Sequence, residues 1–368
     1  MKKIIIGAFA LAFAFFGSAQ AQDVKVGGLF QQIIGFGDDT TGGISHQFDR
    51  LVLSASTTTD NGWEVGGNWN QRSEYDSGAS AGPAELKMYV TNQFGTFNIG
   101  NTTDAVTNTM QRVAAMVPGG GNDSGYNYLF YGSTEGDRGV RFAEAYYAYN
   151  GHRVVWAPPA FQSIQFRGSY TPSHDNSDIT AAGRGTNGNT AASNHQETVE
   201  AAVSWSGDLE GFAVSAALGS KNGNGLASWK DGNDLNVITG SIKVSQGAWT
   251  LGYHVYDNGD SYGQSTDSSK ASSSGWNTAA TYDMGNITLG VGYSYMEAVN
   301  GTTYNTTLGA DGASHVRATD IFQVGLGYAL GGGVTTYIQY SDYDIDDGEA
   351  STTEVSPQVV VMGISMGF

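Results

Sequence analysis

The chain has 368 residues, 17 basic against 35 acidic side chains, no cysteine, and an unusual load of glycine (53) and aromatics (Tyr 20, Phe 16, Trp 7). The net charge of −18 argues against nucleic-acid binding, which needs a basic footprint. The lack of cysteine means that no disulfide supports the fold, and a mean hydropathy of −0.26 fits a chain whose apolar surface is diluted by polar faces and loops.

Lys2 and Lys3 precede an apolar run from Ile4 to Phe16, and Ala19-Gln20-Ala21 follows. A basic start, an apolar middle and small residues at the cut are the parts of a secretory signal. Residues 1–21 are therefore expected to be cleaved, leaving a mature chain of 22–368 with 15 basic and 35 acidic residues, or −20. No later apolar run reaches the length of about 18 residues that a membrane-spanning helix requires.

Beyond the signal the pattern is period two, as half-buried strands demand. Trp63, Val65, Gly67 and Trp69 alternate with Glu64, Gly66, Asn68 and Asn70. Leu86, Met88 and Val90 alternate with Glu85, Lys87 and Tyr89, and Ile164, Phe166, Gly168 and Tyr170 with Gln165, Arg167 and Ser169. Later rows are Phe212–Leu218, Trp249–Val255 and Ile287–Tyr295. The last strand has Val360, Met362, Ile364, Met366 and Phe368 on one face, and small or aliphatic residues on the other. Short turns rich in Gly, Asn and Asp, such as Asp60-Asn61-Gly62 and Met284-Gly285-Asn286, take turns with long polar loops. Seven short turns and eight long loops join about sixteen strands. An even number of strands, an apolar outer face, an aromatic end and alternating loop lengths predict one all-β domain: a transmembrane antiparallel β-barrel with short periplasmic turns and long extracellular loops. A soluble sandwich has no reason for that alternation.

The longest excursion, 101–150, is the third long loop and the candidate constriction. It carries Met110, Val113, Met116 and Val117 and several tyrosines, so it is expected to fold inward and pack on the barrel wall. Strand parity places Arg50, Arg72, Lys87, Arg153 and Arg167 on the lumen side of the second, third, fourth, sixth and seventh strands, since a basic side chain on the lipid face costs about 2–4 kcal/mol near the midplane. This basic wall is expected to face the loop acids Asp104, Asp123, Glu135, Asp137 and Glu144, giving a transverse field that filters solutes by size and charge. Lumen tyrosines Tyr89, Tyr256 and Tyr337 keep a sugar channel open as a reading, and arginines without opposing acids an anion channel. The long Gly/Ser/Asn-rich loops also allow a non-conducting barrel that acts as an adhesin or surface anchor.

The segment Gly151-His152-Arg153-Val154-Val155-Trp156-Ala157-Pro158-Pro159, with Phe161, Gln165, Phe166 and Gly168-Ser169-Tyr170-Thr171-Pro172, resembles the strand–turn–strand after the constriction loop of the general porins of Gram-negative bacteria. Arg50–Gly67, Tyr328–Gly333 and the terminal Phe368 resemble the same family, and the look is that of alphaproteobacterial porins. The resemblance implies a 16-stranded homotrimer in the outer membrane, in contact with lipid and lipopolysaccharide, passing small hydrophilic solutes and ions passively.

Other sites carry less. Asp342, Asp344, Asp346, Asp347 and Glu349 form an acidic run assigned to the last long loop. Gly348 falls one residue late for an EF-hand, and Thr353 stands where the twelfth-position glutamate belongs. The run reads as a solvated loop tip, with weak Ca2+ binding as the alternative and no other cofactor expected. The six histidines form no zinc pattern, and no Ser–His motif stands out, so no enzymatic activity is expected.

Overall fold

A computed structural model of the chain describes residues 23–37, 43–46, 49–73, 83–119, 151–173, 195–225, 234–259, 261, 273–299, 316–346 and 356–368. Its regular elements are all strands: β1 (Asp23–Gly37), β2 (Gly43–His46), β3 (Asp49–Thr58), β4 (Glu64–Ser73), β5 (Pro83–Asn92), β6 (Gly95–Thr102), β7 (Gly151–Ala157), β8 (Ile164–Ser173) and β9 (His195–Leu209). They continue as β10 (Phe212–Gly225), β11 (Leu235–Gln246), β12 (Trp249–Asp257), β13 (Ser273–Met284), β14 (Ile287–Val299), β15 (Val316–Gly331), β16 (Val334–Asp346) and β17 (Gln358–Gly367).

From β3 onward each strand pairs antiparallel with the next, and β17 returns to β1 from Leu29↔Gly367 to Gly37↔Val359. The sheet therefore closes on itself and has no free edge. β1 pairs through Asp23–Leu29 with β3, and through Gln32–Gly35 with β2. Thus β2 and β3 are two lengths of one stave, and seventeen segments make a barrel of sixteen. The closing seam is latched at the chain end: Gly28 and Phe368 exchange backbone hydrogen bonds at 3.0 and 3.1 Å. The Phe368 ring stacks on Phe30 at 5.6 Å and lies across Gly28, where a Cβ would come within 2.5 Å of it.

The outer surface carries the alternate apolar rows: Val24, Val26, Phe30, Ile34 and Phe36 on β1, Leu86 and Met88 on β5, and Met362, Ile364 and Met366 on β17 are all exposed. An apolar belt of this extent belongs against lipid rather than water. Aromatics sit at both rims of it, with Trp249 and Tyr282 4.7 Å apart at the short-turn end and Trp276 and Tyr293 5.4 Å apart toward the long-loop end. Tight turns are built where expected; Gly62, between β3 and β4, has φ +79°, and its N–H bonds the Thr59 carbonyl at 2.8 Å.

The acidic run, expected in the last long loop, starts within the wall: β16 continues through Asp346, so Asp342, Asp344 and Asp346 are strand residues, with Asp347 and Glu349 outside the described residues. Their register partners are Phe322, Asp320 and Ala318. Every second residue of a strand lies on one face, so Asp342 and Asp344 share the outward face with the exposed Phe322.

Candidate constriction

After Thr102 the chain leaves the wall and turns into the barrel. The turn is made by Asp104: its carboxylate accepts the Thr107 N–H and the Thr107 hydroxyl, both at 2.7 Å, and its carbonyl accepts the Asn108 N–H at 3.1 Å. Thr109 closes it with a hydroxyl bond to the Ala105 carbonyl at 2.7 Å.

The same carboxylate is the centre of a buried charge cluster. Lys221 of β10 reaches it at 3.0 Å and Arg153 of β7 at 3.5 Å. Arg153 also meets Glu200 of β9 at 3.5 Å, and Glu200 accepts the Ser169 hydroxyl. Ser169 in turn accepts the Ala105 N–H at 3.0 Å, and Lys221 donates to Thr107 Oγ1 at 3.2 Å. Asp104, Arg153, Glu200 and Lys221 are all at most 2% exposed. The sheet prepares this meeting, since Ser169↔Glu200 and Lys221↔Glu200 put three of the groups on one rung of β8, β9 and β10. Burial pushes the Asp104 carboxyl up, but Lys221, then Arg153, then the two bonds from Thr107 outweigh it and hold the carboxyl below its ordinary value of 3.8.

From this root the segment runs along the inner wall. Val106 and Met110 lie on Gly219 of β10, and the Gln111 N–H bonds Ser241 of β11 at 2.9 Å. Val113 and Met116 lie on Gly252 of β12, and Val113 and Val117 bury themselves against Ala279 of β13. Val117 and Pro118 sit over Gly290 and Gly292 of β14 and over Gly325 of β15, and Gly119 abuts Gln339 of β16. Fifteen residues from Ala105 to Gly119 can reach about 50 Å at full extension. The nine staves from β8 to β16, spaced about 4.8 Å, take up about 38 Å of wall. The segment is therefore a drawn-out strap on one side of the lumen, and glycines in the wall make the channel in which it lies.

The expected site residues take distinct places. Arg50 lies in register between Leu29 and Arg72, next to the outward Leu51; the Arg72 side chain lies outside the described residues. Lys87 pairs with Glu85 at 2.7 Å, and Glu85 also accepts the Thr102 hydroxyl at 3.0 Å. Arg167 donates to Thr109 Oγ1 at 3.1 Å and to the Asn108 carbonyl at 3.4 Å, bracing the strap. Arg153 and Asp104 were expected to face each other across water; they are in contact under the strap, because a lone buried charge of either sign is too costly and each supplies the other's partner. Asp123, Glu135, Asp137 and Glu144 lie outside the described residues. Tyr89, Tyr256 and Tyr337 each lie across a glycine of the next strand, at Gly66, Gly275 and Gly363, so these rings mend gaps in the wall.

Sequence reasoning missed Glu200, Lys221 and the glycine channel. Parity alone marks the first two, since they alternate with the exposed Val199 and Leu218. Gly290, Gly292, Gly325 and Gly327 also stand out as small residues between the outward rows Leu289–Val291 and Val324–Leu326–Tyr328.

A family model for the Gram-negative porins matches residues 7–348. No curated protein matches the chain. Among solved structures, the anion-selective porin from Comamonas acidovorans is similar at 14% identity and TM-score 0.60, covering 95% of this chain and 100% of that one. The outer-membrane channel DcaP of Acinetobacter baumannii gives 11%, 0.61, 96% and 99%, and a loop-deletion mutant of OmpT, an outer membrane protein of Vibrio cholerae, gives 15%, 0.61, 95% and 100%. At these identities the likeness concerns the fold.

Proposed function

The chain belongs to the Gram-negative porin family and forms an outer-membrane channel, and we propose that small hydrophilic solutes and ions cross it by passive diffusion through a water-filled, strap-narrowed lumen. The observation that supports this most is the position of the strap. Its described part, 103–119, lies along the wall from β8 to β16, which supports a passage bounded by the remaining staves. The filter is then a fixed opening bounded by polar groups, with no substrate-binding step. Residues 1–21 serve as a cleaved export signal, the long loops and outer rim meet lipopolysaccharide, and the barrels work as homotrimers; the last point rests on the family resemblance and on the trimer form of the similar OmpT of Vibrio cholerae. The family is one of channels, and the buried charge cluster serves to hold a loop instead of to turn over a substrate.

Liposome swelling with uncharged sugars of graded size tests this reading. Rates that fall smoothly with solute size, without saturation, are expected. A saturable rate for one sugar would mark a specific channel, and no swelling with folded protein would mark an anchor or adhesin.

A further inference from the structure

We propose that the outer wall between β11 and β15 seats one phospholipid with an amine headgroup, its acyl chain in a trough of the wall and its ammonium on the carboxylates above. The inference needs only a barrel in its membrane and stands apart from the reading of the lumen as an open channel.

The trough exists because one stave is low. The outward row of β13 has Thr278 and Ala280 in succession. On the same two rungs β12 presents Tyr253 and Leu251, and β14 presents Tyr293 and Val291. Small residues between tall ones leave a trough of about 360 Å³, bounded on its outer sides by Ile242 and Phe322. Thr278 does not make the floor polar, since its hydroxyl donates to the Gly252 carbonyl at 3.1 Å. Trp276 closes the upper end, its ring 6.2 Å from Tyr253 and 5.4 Å from Tyr293. Trp249 and Tyr282 stand at the lower end, 4.7 Å apart. The trough is therefore continuous with the lipid-facing belt and lies between its aromatic rims, where hydrocarbon surrounds the wall. Lipid is as apolar as the wall, so no hydrophobic gain selects an occupant; close packing does, as on the small residues of membrane helices. A chain laid over Thr278 and Ala280 gains contacts on three sides, which a flat wall does not offer.

Charge names the headgroup. Toward the long loops, the outward row of β15 passes from Phe322 to Asp320, and β16 sets Asp342 beside Phe322 and Asp344 beside Asp320. Tyr293 donates to Asp320, and Tyr295 to Glu297 at 2.9 Å, which holds these acids at the upper corner of the trough. Among the described residues, the outward rows of β14, β15 and β16 carry these four acids and no lysine or arginine. A lipid ammonium meets such carboxylates directly, through charge-assisted hydrogen bonds. The phosphates of lipopolysaccharide would be repelled there and would need a divalent cation between.

The test is photo-cross-linking of the full-length protein, folded into phosphatidylglycerol vesicles that contain a small share of phosphatidylethanolamine with a diazirine in its acyl chain. Labelled peptides are mapped by mass spectrometry. Label on β12 to β14 is expected to exceed severalfold that on the equally lipid-facing Leu86 and Met88 of β5. Ala280→Phe fills the trough with an apolar ring and should bring the label down to the level of β5. Asp320→Asn with Asp344→Asn leaves the trough open and should remove the excess over the same diazirine carried on phosphatidylglycerol. Lipopolysaccharide with Mg2+ should not displace the label. Even labelling of the belt, or an excess indifferent to Ala280→Phe, would overturn the proposal. So would labelling weaker than on β5, which would show that a second copy covers the trough. Equal labelling by both headgroups, or displacement by lipopolysaccharide that EDTA reverses, would overturn the amine as the recognised group.

Discussion

Replacing Asp104 with alanine takes away the centre of the strap's root. It removes the contacts to Lys221 at 3.0 Å and Arg153 at 3.5 Å, together with both 2.7 Å bonds to Thr107. It also leaves two cations in a site where the acids and bases are at most 2% exposed, with Glu200 as the remaining counter-charge. Breaking one side of a buried pair costs about 3–5 kcal/mol, chiefly because the partner is stranded. That converts to a rise of about two to three and a half powers of ten in the population of the detached strap. The barrel closes through other bonds, so the variant should still fold and keep its heat-modifiable mobility on a gel. Its single-channel current should become noisy, with openings and partial closures as the strap leaves and returns. Adding Lys221→Met removes one stranded cation and should quieten the trace toward wild type, a non-additive outcome that a coupled pair requires. A trace for Asp104→Ala as quiet as wild type would refute the idea that this cluster pins the loop.

Other consequences are equally checkable. A methyl at Gly325 would stand 2.3 Å from the Pro118 carbonyl oxygen and 3.0 Å from Val117 Cγ1, so Gly325→Ala should push the strap into the lumen and lower conductance. Gly327→Ala, where the nearest atom is Pro118 Cβ at 3.2 Å, should do so less. Val154→Arg puts a charge on the exposed outer row of β7 and should cost assembly about 2–4 kcal/mol, seen as lost heat-modifiable barrel, whereas Arg167→Ala on the inner face should assemble normally. The Asp104 carboxyl is held below its ordinary 3.8, so its stabilising share is complete above that value and is lost only as pH falls through the lower folded one. Single-channel traces should accordingly keep their noise level from neutral pH down to about pH 4 and become noisy below it; noise that sets in near pH 6 would show that another group governs the strap.

The barrel is legible because its rule is local. A strand between lipid and water must alternate, so Leu86, Met88 and Phe166 announce the outside and Lys87 and Arg167 the inside without any knowledge of partners. Phe368 likewise continues the outward row of β17, and the structure shows it latched over Gly28. What parity cannot give is which inward residue meets which. Asp104 and Lys221 are 117 positions apart and meet because the chain turns inward after β6 and reaches β10 past the three staves between, a fact of shape that no spacing encodes. The same limit explains why Asp104 read as a pore acid. Its type is right for a constriction, but a carboxylate placed next to Arg153 and Lys221 becomes a structural pin. The acidic run Asp342–Glu349 reads as part of the last long loop, but β16 continues through Asp346. There the outward row passes from the apolar Phe322 and Val324 to Asp320 and Asp344, so this end of the wall carries charge.

The central claim is an open, strap-narrowed channel, and single-channel recording of the purified protein in planar bilayers tests it most directly. The account predicts long-lived openings in groups of three, with conductance proportional to bulk salt. Folded, heat-modifiable protein that inserts yet gives no such steps would contradict it.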